Sequence, residues 1–194
     1  NPNPFYKSEL TEEEMDQMLR EKFGDKTDAV VEAFQKAYPD KPKVDAMYVD
    51  VVTYRSYELP VIKARAAQGS APTYNYIFAY DFPTLGGWMP WHCSEIAFVF
   101  RNIDKIPLTV GTDPSGYKLE EEMYKAWVSF AKTGDPSLSA DISPDGKAHE
   151  WPLYDLENKQ VMIFDEFDIH MEKESERKIL DWDRTYFLTK YYCI

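Results

Sequence analysis

The stretch TYNYIFAYDF, Thr73 to Phe82, is the strongest β-strand signal in the chain, and it has little company. It is rich in Tyr, Phe and Ile and is framed by Pro72 and Pro83, the composition and punctuation of a strand. A second strand is predicted at QVMIFD, Gln160 to Asp165. Most of the other apolar residues recur at helical spacing. A sheet of two strands is marginal alone. Two solutions therefore remain: an α+β domain with a small sheet, or part of an α/β domain whose central strands lie elsewhere.

The helical segments are well punctuated. Thr11 stands three residues before Glu14 in TEEEMDQMLREKF, a capping box, and predicts a helix to Phe23 with Gly24 as its stop. Thr27 is the expected cap of the next helix, where Val30, Val31, Phe34, Ala37 and Tyr38 share a face before Pro39. Val44, Met47, Val51 and Val52 mark a further helical face, which Pro60 is expected to break or kink before VIKARAAQG continues to Gly69. KLEEEMYKAWVSFAKTG places Leu119, Met123, Trp127, Phe130 and Ala131 on one side of a helix that Gly134-Asp135-Pro136 stops. Residues 175–192 read as a C-terminal helix. The organisation is thus about 1–70 helical, then 73–165 with a strand, a loop, a helix and a last strand, then that tail.

Composition excludes several function classes. A net charge of −12 repels a phosphate backbone and an anionic lipid surface alike, so neither nucleic acid nor membrane is an expected partner. No apolar run approaches the roughly 20 residues of a membrane span. The N-terminal NPNPFYKSEL lacks the basic start and apolar stretch of a signal peptide. Cys93 and Cys193 are too few for a disulfide scaffold. They read as reduced thiols, which fits a cytoplasmic setting unless a signal segment lies upstream.

Few residues carry chemistry. His92, His149 and His170 stand far apart without metal-ligand spacing, so no metal is expected, and the last two read as surface residues in polar turns. Cys93 is adjacent to His92, and neighbouring side chains usually point apart, which argues against a thiol nucleophile paired with that histidine. No glycine-rich phosphate loop is present, and no cofactor is implied. The acidic runs TEEE, LEEE and DEFD read as solvated faces. His92 lies in GGWMPWHCSEIAFVF, in a loop after a strand and before a short helix on which Ile96, Val99 and Phe100 share a face. On the residues alone it is either a packed histidine among tryptophans or a general base at a strand end.

Four stretches in this order resemble one family. WHCSEIAFVFRN is similar to the histidine segment of the type-B carboxylesterase and cholinesterase family, and TYNYIFAYDF to the strand before it. AWVSFAKTGDPS resembles the family's Trp-x-x-Phe-Ala-Lys-Thr-Gly-x-Pro segment, and WPLYD with QVMIFD its Trp-Pro-x-Tyr and final strand. The resemblance spans essentially the whole chain and is to the C-terminal third of the family's bacterial members. It implies an α/β-hydrolase fold, helix-rich and with few strands in this portion, and a serine esterase with a Ser-Glu-His triad. On that resemblance His92 is the triad's general base and acid, Glu95 braces its loop, and Trp88, Trp91 and Tyr80 are pocket walls for an apolar ester.

The chain departs from the family where the nucleophile is concerned. No two of its eight glycines are four residues apart, so it holds no Gly-x-Ser-x-Gly elbow. The resemblance therefore implies one triad member of three here, the serine and the acid lying upstream. Three expectations follow: inactivity of this chain alone, apolar faces awaiting the N-terminal part of the same enzyme, and self-association through those faces. The competing expectation is a binding module of the same lineage without hydrolytic activity.

Overall fold

A computed structural model describes residues 4–48, 50–84, 87–106, 110 and 113–173. The first helix begins where its cap predicts. Helix α1, Glu12–Phe23, is closed by the reciprocal capping box of Thr11 and Glu14 and ends at Gly24, whose φ of 59° suits glycine. Helix α2, Thr27–Ala37, follows a short 3-10 turn at Gly24–Lys26. Thr27 does not cap it. Its hydroxyl donates backward to the Gly24 carbonyl at 2.7 Å because the 3-10 turn already supplies a helical entry. Leu19, Phe23, Val30, Phe34 and Ala46 form a first core between α1, α2 and the 3-10 helix Lys43–Tyr48. A buried ion pair, Lys7 Nζ to Asp45 Oδ1 at 2.7 Å, ties the start of the chain to that 3-10 helix.

Helix α3, Asp50–Gln68, runs through Pro60, so the expected break does not occur. Pro60 is exposed, which leaves the hydrogen bond it cannot make on the solvent side.

The sheet has three strands in the order β1-β2-β3: β1 is Tyr76–Phe78, β2 Gln160–Phe164 and β3 Ile169–Lys173. β1 pairs with β2 in parallel, Ile77 opposite Ile163, and β2 pairs with β3 as a hairpin. The predicted strand from Thr73 is paired over only part of its length, since Met162 N donates to the Asn75 carbonyl and Ala79 N to that of Phe164, and the ladder ends there. β1 is also an edge: its other side has no ladder partner among the described residues.

Between β1 and β2 lie helix α4, Ile96–Val99, and helix α5, Pro114–Thr133, the crossover that a parallel pair requires. Asp113 caps α5, Pro114 opens it and Gly134 closes it in the left-handed conformation. The main core lies between the sheet and these helices. Phe78, Tyr80, Phe82 and Phe98 are buried there together with Leu119, Met123 and Phe164. Each such burial stabilises by roughly 1.5–3 kcal/mol. Alternate strand residues Ile77, Val161 and Ile163 point to the opposite face and form a smaller buried cluster. Both faces of the sheet are therefore covered, as in α/β folds.

Three readings of faces need correction. The apolar side of α5 is buried at Leu119, Met123 and Ala126, but Phe130 and Ala131 extend past the core and are exposed. The face of α4 shared by Ile96 and Phe100 is not covered: Phe100 is 71% exposed and Ile96 45%, while Phe98 carries the packing. LEEE and DEFD are not simply solvated. Glu120 and Glu122 of α5 are buried, and burial pushes both carboxyls above their ordinary range. DEFD is the β2–β3 turn, where Asp165 Oδ1 accepts from the amides of Phe167 and Asp168. Residues 175–192 lie outside the described residues.

Candidate active site

The loop carrying His92 is held by aromatic packing and one closed backbone bridge. β1 continues in extended form to Phe82, whose amide and carbonyl exchange hydrogen bonds of 2.8 Å with Trp88. Gly87 makes the return possible with a φ of 87°. Trp91 then stacks on Phe82 with ring centroids 4.3 Å apart, and Trp88 meets Trp91 edge to face at 5.8 Å. Past that anchor His92 and Cys93 are exposed, Ser94 is buried, and α4 begins. Cys93 has a φ of 66°, in the left-handed region, directly beside the histidine. Local strain of this kind persists only where surrounding packing enforces it.

The segment after α4 is fixed by the LEEE run. Glu120 Oε1 accepts the Ile103 amide at 2.9 Å, and Arg101 Nε donates to Glu121 Oε1 at 2.5 Å. These carboxylates of α5 grip the chain immediately beyond the histidine helix. Sequence reading missed them, because a run of three acids on a helix gives no sign of which one faces inward.

His92 borders a cleft of about 560 Å³ between α3, β1 and its own loop. Val61 and Ile62 of α3, Tyr76 and Phe78 of β1, and Trp91 provide its apolar walls. Glu58, Glu95 and the exposed Cys93 lie at the same cleft. Burial, followed by the charges of Glu95 and Glu58, pushes the Tyr76 phenol up to about 12, which keeps it a neutral donor. The Asn75 Nδ2 and Ser94 Oγ atoms near the histidine are buried without a hydrogen-bond partner among the described residues.

The other expected site residues divide. Trp91 lines the cleft with His92. Trp88 packs against the main core and Tyr80 is fully buried within it, so neither lines this cleft. The Tyr80 hydroxyl donates to Asp113 Oδ2 at 2.7 Å and ties the strand end to the start of α5. The Glu95 carboxylate faces the cleft and makes no hydrogen bond among the described residues. Glu120 and Glu121 hold a different segment, at Ile103 and Arg101.

His149 is not a surface residue. Its side chain is 9% exposed, with Nε2 at 3.0 Å from Asp145 Oδ1. His170 is 43% exposed, as its turn-like surroundings suggested. One set of potential metal-ligating side chains converges among the described residues, Glu122, Asp145, His149 and Asp168, and it includes no cleft residue. No described helix is long and apolar enough to cross a membrane.

A sequence model of the carboxylesterase family matches residues 3–181. The chain is 29% identical over 136 residues to the para-nitrobenzyl esterase of Bacillus subtilis, covering 68% of this chain and 25% of that protein. It is 28% identical over 158 residues to the fumonisin B1 esterase of Sphingopyxis macrogoltabida, covering 75% and 26%. Among solved structures, an esterase from Clostridium hathewayi that hydrolyses aliphatic aromatic polyesters superposes with a TM-score of 0.70 at 29% identity. That superposition covers 95% of this chain and 35% of the esterase. A Geobacillus stearothermophilus carboxylesterase gives 0.58 at 30% identity, covering 90% and 36%. The chain thus spans about a quarter of these curated relatives and about a third of the solved ones. The fold is that of the α/β-hydrolase carboxylesterases, represented by a helix-rich portion with three strands among the described residues. The chain belongs to the carboxylesterase family.

Proposed function

We propose that the protein carrying this chain hydrolyses carboxylic esters by a serine mechanism, with His92 as its general base and acid. The observation that carries the reading is the position of His92. It stands exposed at the mouth of an apolar-walled cleft, on an anchored loop between a strand end and a helix. In α/β folds, chemistry gathers at strand ends. The imidazole takes the proton of a serine as that serine attacks the ester carbonyl. It then protonates the departing alcohol and repeats the cycle with water. The serine and the triad acid come from the remainder of the protein, which lies upstream of this chain. Within these 194 residues there is no Gly-x-Ser-x-Gly, so this chain alone is inactive. Trp91 and the α3 residues Val61 and Ile62 form one wall for an apolar ester, in keeping with the aromatic esters named for its relatives. Glu95 faces the same space and is placed to pair with a group from the rest of the enzyme.

The test is the full-length protein with a nitrophenyl ester. His92→Ala lowers turnover by roughly 10⁴–10⁶-fold, as loss of a triad base does. Turnover in that variant near the wild-type level refutes the role. The second reading is a binding protein of the same lineage without hydrolysis. Covalent labelling of the full-length protein by a serine-reactive phosphonate separates the two: stoichiometric labelling supports hydrolysis, and its absence supports binding alone.

A further inference from the structure

Three carboxylates and one imidazole converge from α5, the β2–β3 turn and the 138–149 loop. Glu122 comes from α5, and Asp168 from the β2–β3 turn. Asp145 and His149 come from a loop closed by the antiparallel bridge between Leu138 and His149. One ligating atom from each lies within 4.8 Å of the others. Glu122 is only 1% exposed, and its Oε1 accepts no hydrogen bond. The same is true of the buried Asp145 Oδ2 and Asp168 Oδ1. The other Asp145 oxygen is already saturated by the Lys147 amide at 3.0 Å, the Ser143 hydroxyl at 2.7 Å and the His149 ring.

Two lysines supply charge nearby but stand off. Lys118 Nζ is 3.5 Å from Glu122 Oε1 and 3.6 Å from Asp168 Oδ1, and Lys147 Nζ is 3.8 Å from Asp145 Oδ2. All three distances exceed the usual span of a charge-assisted hydrogen bond, about 2.7–2.9 Å. Two largely buried carboxylates, Glu122 and Asp145, brought against the partly exposed Asp168, each with an oxygen lacking a donor, are costly unless a cation lies among them. We propose that Glu122, Asp145, His149 and Asp168 form a structural zinc site. Four donors, one atom each, with an imidazole among them, match the tetrahedral count and the N/O preference of zinc. Calcium takes six to eight oxygen ligands. The ion clamps the 138–149 loop and the β2–β3 turn to α5, the helix whose Glu120 and Glu121 hold the chain beyond His92. The site stands independently of the hydrolytic reading.

The full-length protein is stripped with chelator, dialysed and titrated calorimetrically with zinc chloride, and its thermal midpoint is followed in parallel. The expected result is one zinc per chain, with a midpoint several degrees higher when bound. Glu122→Gln and Asp168→Asn each weaken binding by roughly 100-fold or more, since even residues outside a metal's ligand set cost 10–100-fold. Lys118→Met removes the competing cation and leaves or tightens zinc binding. No saturable zinc binding by the stripped protein, binding unchanged in both ligand variants, or binding of calcium in preference to zinc overturns the assignment. If Glu122→Gln fails to fold, Asp168→Asn, at 43% side-chain exposure, carries the comparison.

Discussion

Glu120 is buried on α5 and its carboxylate receives the Ile103 amide, so one side chain fixes the path of the backbone beyond the histidine helix. Glu120→Ala leaves that amide unpaired and destabilises the full-length protein by roughly 1–3 kcal/mol. Glu120→Gln keeps an acceptor and recovers most of the loss, which urea denaturation of both variants measures. Glu14 makes the opposite use of a carboxylate. It is half-buried, and the amide and hydroxyl of Thr11 donate to it at 2.8 and 2.9 Å. The Thr11 backbone bond, then its hydroxyl, hold Glu14 below its ordinary value of 4.5. A depressed carboxyl contributes stability that is present above its unfolded pKa and lost as pH falls through the folded value. Glu14→Gln should therefore narrow the difference in denaturant midpoint between pH 6 and pH 3. An unchanged difference counts against the capping box as a source of acid sensitivity.

At the scale of elements, α5 organises its surroundings. Its first turn meets the strand end at Gly116, where an added Cβ would sit 2.5 Å from Val110 Cγ1 and 2.8 Å from the Tyr80 hydroxyl. Gly116→Ala gains about 1 kcal/mol in helix propensity. Overpacking of this kind costs roughly 1–3 kcal/mol, and the clash with a fully buried tyrosine places the change toward the upper end. The net effect is destabilisation, seen as a lower denaturant midpoint. In a Tyr80→Phe background the penalty shrinks because one of the two clashing groups is gone, and a double-mutant cycle measures the difference. The helix pattern showed α5 from Lys118 and its Gly134 stop, while the first turn from Pro114 and its Asp113 cap came only with the structure. The same pattern did not say which acids turn inward, because Glu120 and Glu122 are indistinguishable from Glu121 until the sheet and the 138–149 loop are packed against them.

For the whole molecule, the edge of β1, which has no ladder partner among the described residues, and the exposed Ile96 and Phe100 have a common consequence. The 194-residue chain expressed alone should bind a hydrophobic dye and sediment above monomer mass, because open strand edges and contiguous apolar surface drive association. Phe100→Glu should reduce both signals, and a clean monomer without dye binding removes the expectation. By itself the sequence determined the helical segments, the capping box of α1, the Gly134 stop of α5, the two apolar strands, and His92 on a loop between strand and helix. Those signals are local: a cap, a period and a proline act within a few residues. Only the tertiary structure decided that Tyr80 and Trp88 belong to the core while Trp91 borders the cleft. It alone drew His149, Asp145, Asp168 and Glu122 together, paired β3 with β2, and carried α3 through Pro60. Each of these depends on which distant surface meets the residue, and neither spacing nor composition encodes that meeting.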